Sequence, residues 1–258
     1  MIKVLVTGSE GQLGKSIQKI VYKYPQMTFI FKDKLGLDIT DENSVQTVFK
    51  KQIFHYCINC AAYTNVEQAE KKLDQAFAVN AEGVKKIASA CKKNNVVLVH
   101  ISTDYVFDGE KKSPYKVDDI PNPINEYGKS KLQGERYIQE ILKNYFIIRT
   151  SWLYSEFGNN FYKKILEKAR TQKVLYVTDQ QTGCPTNANN LAKFILELMV
   201  LGNKDYGIYH FTDGIAMTWF GFTKKIIKEN NLESAVKIAK DNNYGSFAKR
   251  PKFSVLDK

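Results

Sequence analysis

Three side chains have the types and spacing for a proton-coupled reduction. Tyr127 and Lys131 stand four residues apart in Asn125-Glu126-Tyr127-Gly128-Lys129-Ser130-Lys131, so on a helix they share one face. A free phenol has a pKa near 10, too high to exchange protons readily at neutral pH. A neighbouring ammonium favours the phenolate and lowers that value. Thr103 follows the β-branched run Val96 to Ser102, which reads as a strand. A hydroxyl at its carboxyl end could bind a carbonyl oxygen, since ligands of open α/β sheets sit at those ends. A Y-x-x-x-K pair is a common accident on lysine-rich helices, so its weight comes from its surroundings.

The strongest of these is Thr7-Gly8-Ser9-Glu10-Gly11-Gln12-Leu13-Gly14, directly after the apolar run Lys3 to Val6. Gly8 can make the tight turn, Gly11 lets backbone approach a pyrophosphate, and Gly14 lets the helix pack closely. The following helix start offers free N–H groups to phosphates. After the next strand, Asp33 could bind ribose hydroxyls and favour NADH, while Lys32 or Lys34 could meet a 2′-phosphate and favour NADPH. Both chemistries stand side by side. Asp38-Ile39 follows and could flank the adenine.

Positioning these groups requires alternating strands and helices. Strands are expected at 3–6, 27–31, 56–60, 96–102 and 145–150, with helices at 13–21, 41–51 (capped by Thr40 or Asp41), 69–93 in two pieces, and 126–142. Continuous apolar strands between helices imply βαβ units and a buried parallel sheet. The expected fold is α/β, a doubly wound Rossmann-type sheet, with residues 1–155 binding NAD(P) and 156–258 forming mainly a small substrate lobe. In that second part, 161–171, 190–201 and 218–230 read as helices and 174–177 and 207–211 as strands, some returning to the sheet.

Composition narrows the function classes. The chain has 258 residues, 43% of them hydrophobic, enough for a sizeable core, and a formal charge of +11. The basic residues are nearly all lysines spread in short pairs, such as Lys50-Lys51 and Lys92-Lys93. That is a solvated surface rather than the clustered face of a nucleic-acid binder, and it tolerates a phosphate-bearing substrate. Four cysteines (Cys57, Cys60, Cys91, Cys184) are too few for a disulfide scaffold. Cys57-Ile58-Asn59-Cys60 has redox-like spacing, but on a strand its cysteines point to opposite faces. His55, His100 and His210 are isolated in sequence and read as structural, so no metal is expected. Met1 to Val6 reads as a strand and not a signal peptide, and no apolar run could span a bilayer. A cytoplasmic protein without a membrane partner is expected.

Taken together, these motifs resemble the extended short-chain dehydrogenases, most closely the dTDP-4-dehydrorhamnose reductases. The likeness runs almost the whole length, through Leu37-Asp38-Ile39-Thr40-Asp41, Asn59-Cys60-Ala61-Ala62-Tyr63-Thr64, Val79-Asn80-Ala81, His100 to Gly109, Tyr127 to Lys131, Arg149-Thr150-Ser151-Trp152-Leu153-Tyr154 and Pro185-Thr186. It implies hydride transfer from NADPH or NADH to the 4-keto group of a nucleotide-linked deoxysugar, with Thr103, Tyr127 and Lys131 catalytic. Gly8, Gly11, Gln12, Leu13 and Gly14 would hold the pyrophosphate, and Asp38 and Ile39 would contact adenine. Ala61, Ala62, Tyr63 and Asn80 would line the cofactor cleft. Thr64, Val66, Asp104 and Trp152 would face the sugar nucleotide, although a Trp after a buried strand can equally be core. The resemblance also admits a homodimer.

Two other readings share these motifs: a non-catalytic cofactor-binding subunit, like the regulatory subunit of methionine adenosyltransferase, and a reductase for another 4-keto-deoxysugar. Cys60 stands where the family carries alanine. Arg250-Pro251-Lys252-Phe253-Ser254-Val255-Leu256-Asp257 resembles a late family motif, and the sequence ends at Lys258 where relatives continue.

Overall fold

The structure, a computed structural model, describes residues 1–241 and 245–257. Its elements are, in order, β1 (Ile2–Thr7), α1 (Gln12–Ile20), β2 (Met27–Lys32), α2 (Glu42–Lys51), β3 (Tyr56–Asn59), α3 (Val66–Ala69), α4 (Leu73–Phe77), α5 (Val84–Lys93), β4 (Val97–Thr103), α6 (Glu126–Ile141), β5 (Tyr145–Thr150) and β6 (Leu153–Tyr154). There follow α7 (Phe161–Thr171), β7 (Val174–Val177), β8 (Thr182–Gly183), β9 (Thr186–Asn187), α8 (Ala188–Val200), β10 (Gly207–His210), β11 (Met217–Thr218), α9 (Trp219–Glu229) and β12 (Lys237–Lys240).

Six strands form one sheet in the order β10-β5-β4-β3-β1-β2, every pair parallel. Alternation along each strand fills two cores. Leu5, Leu98 and Ile147 face Val45, Ile87 and Ile138 of α2, α5 and α6. Val4, Val6, Val99 and Ile148 face Ile17 of α1 and Leu191 and Ile195 of α8. Each fully buried aliphatic side chain contributes about 1.5–3 kcal/mol. The strand order reverses at β1, with β2 on one side and β3 on the other. That crevice is where doubly wound sheets bind ligands.

Residues beyond 155 go two ways. Helix α8 and β10 complete the main sheet layer. Helices α7 and α9 instead pack on the two-stranded β7–β12 ribbon around Ile165, Leu175, Phe222 and Ile226. The expected two-piece helix over 69–93 is more broken than that. It begins at α3 and passes through a π-helical turn, Ala78–Gly83, before α5. Widened turns of this kind recur at functional sites. Here the turn carries Asn80, whose side chain is fully buried. Of the two proposed caps of α2, Asp41 makes the bond, accepting from Asn43 N at 2.9 Å.

Candidate active site

The carboxyl ends of β1, β3, β4 and β5 open into a cleft of about 560 Å³. Its floor is built from glycines that no other residue could replace cheaply. Gly8 has φ +61°, and a Cβ there would lie 2.6 Å from Ala61 N. A Cβ on Gly14 would lie 2.6 Å from the Ser9 backbone, so this glycine closes the loop on itself. Gly11 caps α1 and lines the cleft with Gln12 and Leu13.

Opposite the loop stand the three residues read as catalytic. Asn125 caps α6 by accepting from Gly128 N at 2.8 Å. Gly128 lets the helix reach the turn after β4, because a Cβ there would fall 2.1 Å from Tyr105 O. This brings Tyr127 beside Thr103, and both line the cleft. Burial, the main cause, raises the Tyr127 pKa above its ordinary value, with the Asp104 and Tyr105 charges adding and Thr103 opposing. The expected lowering by Lys131 is therefore corrected. The Lys131 ammonium turns into the sheet, donating to Ile101 O at 2.6 Å and lying 3.3 Å from His100 Nε2. Burial pulls the Lys131 pKa down to about 8. His100, read as structural, thus touches the lysine, and burial and that ammonium hold its pKa well below the ordinary imidazole value.

Asp104, expected to face the sugar nucleotide, lines the cleft, but its carboxyl is spent on neighbouring side chains. It is 2% exposed, and its carboxyl takes bonds from Thr103 Oγ1 at 3.1 Å and Ser254 Oγ at 2.5 Å. Burial pushes its pKa up to about 7, against the opposing hydrogen bonds. Beneath, Arg149 and Glu135 form a buried ion pair at 2.7 Å, with Arg149 over the Phe107 ring. Such a pair fixes geometry more than it stabilises.

The other expected site residues divide. Ala62, Thr64 and Trp152 line the cleft, while Val66 starts α3 outside it. Asn80 does not face it. Its amide holds Tyr63, with bonds to the Tyr63 N–H at 2.8 Å and carbonyl at 2.9 Å, and also reaches Ser130 Oγ. Asn80 thus positions the 61–63 loop, and Ala61 packs beneath Gly8. The Ile39 side chain is 3% exposed, in the core against Gly83, so only its backbone is free to meet an adenine. Asp38 accepts from Thr40 N and Oγ1, and Asp33 from Gly36 N at 2.8 Å. Lys34 is exposed, 4.0 Å from Asp38. Cys60 lines the cleft while Cys57 lies in the core beside Cys91.

Of the opposite wall, sequence reasoning found Trp152 but missed the residues around it. Trp152 has φ +46°, a strained conformation for a bulky residue. Its indole stacks on Trp219 with centroids 3.4 Å apart, and Gly183 gives it room. Trp219 and Phe161, at the starts of α9 and α7, line the cleft too. The Ser155–Asn160 loop closes on Gln12, whose Oε1 accepts from Asn160 Nδ2 at 2.8 Å and Ser155 Oγ at 3.2 Å. The only available signals were the Asn160 cap before an amphipathic helix and Gly158, which has φ +65°.

With this geometry established, likeness to known proteins becomes informative. Residues 2–258 match the RmlD substrate binding domain. The chain belongs to that family. It is 37% identical to the dTDP-4-dehydrorhamnose reductase of Aggregatibacter actinomycetemcomitans, over all of this chain and 91% of that one. It is 38% identical to the spore coat polysaccharide biosynthesis protein SpsK of Bacillus subtilis (strain 168), over 99% of this chain and 89% of that one. The crystal structure of dTDP-4-dehydrorhamnose reductase from Bacillus anthracis str. Ames in complex with NADP superposes with TM-score 0.94 at 39% identity, covering 100% of this chain and 91% of that one. The expected Rossmann-type α/β class agrees with this neighbour and with the parallel sheet.

Proposed function

We propose that the protein reduces the 4-keto group of a nucleotide-linked deoxysugar with NADPH or NADH, converting dTDP-4-dehydrorhamnose to dTDP-L-rhamnose. The observation that carries this reading is the convergence of Thr103, Tyr127 and Lys131 on the cleft floored by the Gly8–Gly14 loop. The residues fit a dinucleotide. Gly11 and the free N–H groups at the start of α1 suit a pyrophosphate, and buried Lys131 suits a ribose hydroxyl. When bound, the reduced nicotinamide supplies the hydride.

The chain's own groups would do the rest. Thr103 orients the ketone oxygen. Tyr127, kept neutral by burial, donates its proton to the developing alkoxide. Preorganised donors of this kind are worth most in a water-poor site. Thr64, Trp152 and Trp219 contact the sugar nucleotide. The family names of the relatives in the RmlD group support the substrate class. The free thiols Cys57, Cys60 and Cys91 fit a reducing cytoplasm, and among the described residues no helix is long and apolar enough to cross a membrane.

Dehydration of a nucleotide hexose is the nearest competing chemistry, and it needs a carboxylate acid and base beside the ring. Among the described residues lining the cleft Asp104 is the only carboxylate. Its neighbour Tyr105 is a buried phenol with its pKa pushed up to about 12, mainly by burial. The test follows reduced cofactor optically with a panel of nucleotide-linked 4-keto-6-deoxysugars, and separately incubates dTDP-glucose with oxidised cofactor. Cofactor oxidation is expected in the first and no keto product in the second. Cofactor binding with no turnover of any sugar would instead identify a binding subunit.

A further inference from the structure

The segment Arg250–Asp257 has had no chemical role so far, yet it reaches the floor of the cleft. It is laced to the body by Ser254 N donating to Thr182 O and by Tyr115 N donating to Val255 O, each at 2.8 Å. Gly109 makes room for Pro251, since a Cβ there would lie 2.6 Å away. So fixed, Ser254 is 1% exposed and donates to Asp104 Oδ2 at 2.5 Å. Oδ1 of the same carboxyl lies 3.1 Å from Thr103 Oγ1, which also accepts from Tyr105 N at 3.2 Å.

A threonine hydroxyl has one hydrogen. An ionised Asp104 claims it, and Thr103 then has nothing to offer a ketone in the cleft. A protonated Asp104 reverses the bond. Its Oδ2 already accepts from Ser254, so its proton sits on Oδ1 and is donated to Thr103 Oγ1, freeing the threonine hydrogen.

We propose that Asp104 and Ser254 are a positioning pair that aims the Thr103 hydroxyl hydrogen into the cleft when Asp104 carries a proton. This rests on the reading of the cleft as a ketone-reducing site. Burial supports it by holding the carboxyl proton up to about pH 7. The titratable groups facing Asp104 are Tyr127 from α6 and Tyr105 from its own turn. Arg250, paired to Glu67 of α3 at 2.8 Å, acts on Tyr105, and Lys131 is turned away onto Ile101 and His100. The sign follows. The folded pKa is raised and the working form is protonated, so activity is full below neutrality and falls as pH rises through the Asp104 pKa, about tenfold per unit.

The test has two readouts. Carboxyl ¹³C NMR of the cofactor-free protein, with Asp104→Asn to assign the resonance, should show Asp104 titrating near neutrality. In Ser254→Ala the ionised form loses a hydrogen bond, so both this titration and the basic limb of kcat/KM should move to higher pH. Ser254→Thr should restore both. Asp104→Asn can donate to Thr103 and accept from Ser254 without titrating, so it should lose the basic limb at the wild-type pH.

The proposal is overturned by an Asp104 that titrates in the ordinary carboxylate range, or by a Ser254→Ala variant in which neither quantity moves. It is equally overturned by a folded, cofactor-binding Asp104→Asn whose kcat/KM still falls through a basic limb at the wild-type pH. If Asp104→Asn does not fold, the Ser254 variants decide alone. Wild-type protein that turns over no keto sugar fails the proposed function, while the NMR titration still judges the pair.

Discussion

The two walls of the cleft are held by different kinds of constraint. The wall assigned to the cofactor is backbone geometry over a few residues. Gly8, Gly11 and Gly14 sit within seven positions, and the Gly8 turn abuts the Cys60–Ala61 backbone. The wall assigned to the sugar nucleotide is held by side chains far apart in sequence, Gln12 and Asn160 being 148 positions apart and Asp104 and Ser254 150. The first wall would form almost as soon as β1 pairs with β3. The second exists only when the whole chain is folded, because closing such separations carries an entropic cost that other contacts must repay. A site so divided can keep its cofactor geometry constant while its substrate wall varies.

Tyr127 stands where the walls meet, and replacing it gives the largest expected effect. Tyr127→Phe should lower turnover by roughly 10²–10⁴-fold, the range for a lost general acid, while cofactor affinity measured by fluorescence titration barely changes. Turnover within a few-fold of wild type would remove Tyr127 from the chemistry. A parallel loss of cofactor affinity would mean that the phenol belongs to the cofactor wall.

The next prediction compares the walls directly. Gly8 and Gly158 have nearly the same φ, +61° and +65°. Their neighbours differ. A Cβ on Gly8 meets backbone at 2.6–2.8 Å, which cannot move without shifting β3, whereas a Cβ on Gly158 meets the flexible Gln12 side chain at 3.0 Å. Gly158→Ala should therefore cost about 1–2 kcal/mol, the left-handed strain alone. Gly8→Ala should cost more and weaken cofactor binding with it. Urea midpoints of the two variants measure this. Equal costs would erase the distinction between the walls.

The same distinction explains what could be read from the sequence. The sheet, the glycine loop, the Tyr127–Lys131 face and the Thr103 strand end all follow from periodicity and local spacing. Asn80 and Ile39 were legible as important but not in role, because only folding shows that one amide is spent on Tyr63 and the other side chain on the core. The direction of the Lys131 side chain was not legible either, since spacing fixes a helix face and not which carbonyl a flexible ammonium finds. Trp219 carries no local signal, and the Asn160 cap, Gly158 and the motif around Ser254 do not show what these residues reach. Their partners lie in other elements, and only the closed chain brings them to the cleft.

The smallest expected effect tests whether the cofactor wall extends to the adenosine end, past β2. There Asp33 would repel a 2′-phosphate and Lys32 or Lys34 would attract it. The structure weakens both sides. One Asp33 oxygen is occupied by the Gly36 N–H, so its charge is partly spent on the turn. Lys34 is largely exposed, with Asp38 4.0 Å away, and exposed pairs are worth little and are screened by salt. Neither charge should dominate, so NADPH and NADH should both work, with NADPH ahead by less than about 100-fold in kcat/KM. Asp33→Asn keeps an oxygen for the Gly36 bond and removes the charge. It should move the ratio toward NADPH by roughly 2–5-fold, the worth of one exposed charge contact, and Lys34→Gln should move it the other way. Raising the ionic strength should shrink both shifts. An NADH preference above about 100-fold, near 2.7 kcal/mol, would show that Asp33 holds the ribose with its full charge despite the turn. The adenosine end would then be set by a single side chain, and the backbone rule of the cofactor wall would stop at the end of β2.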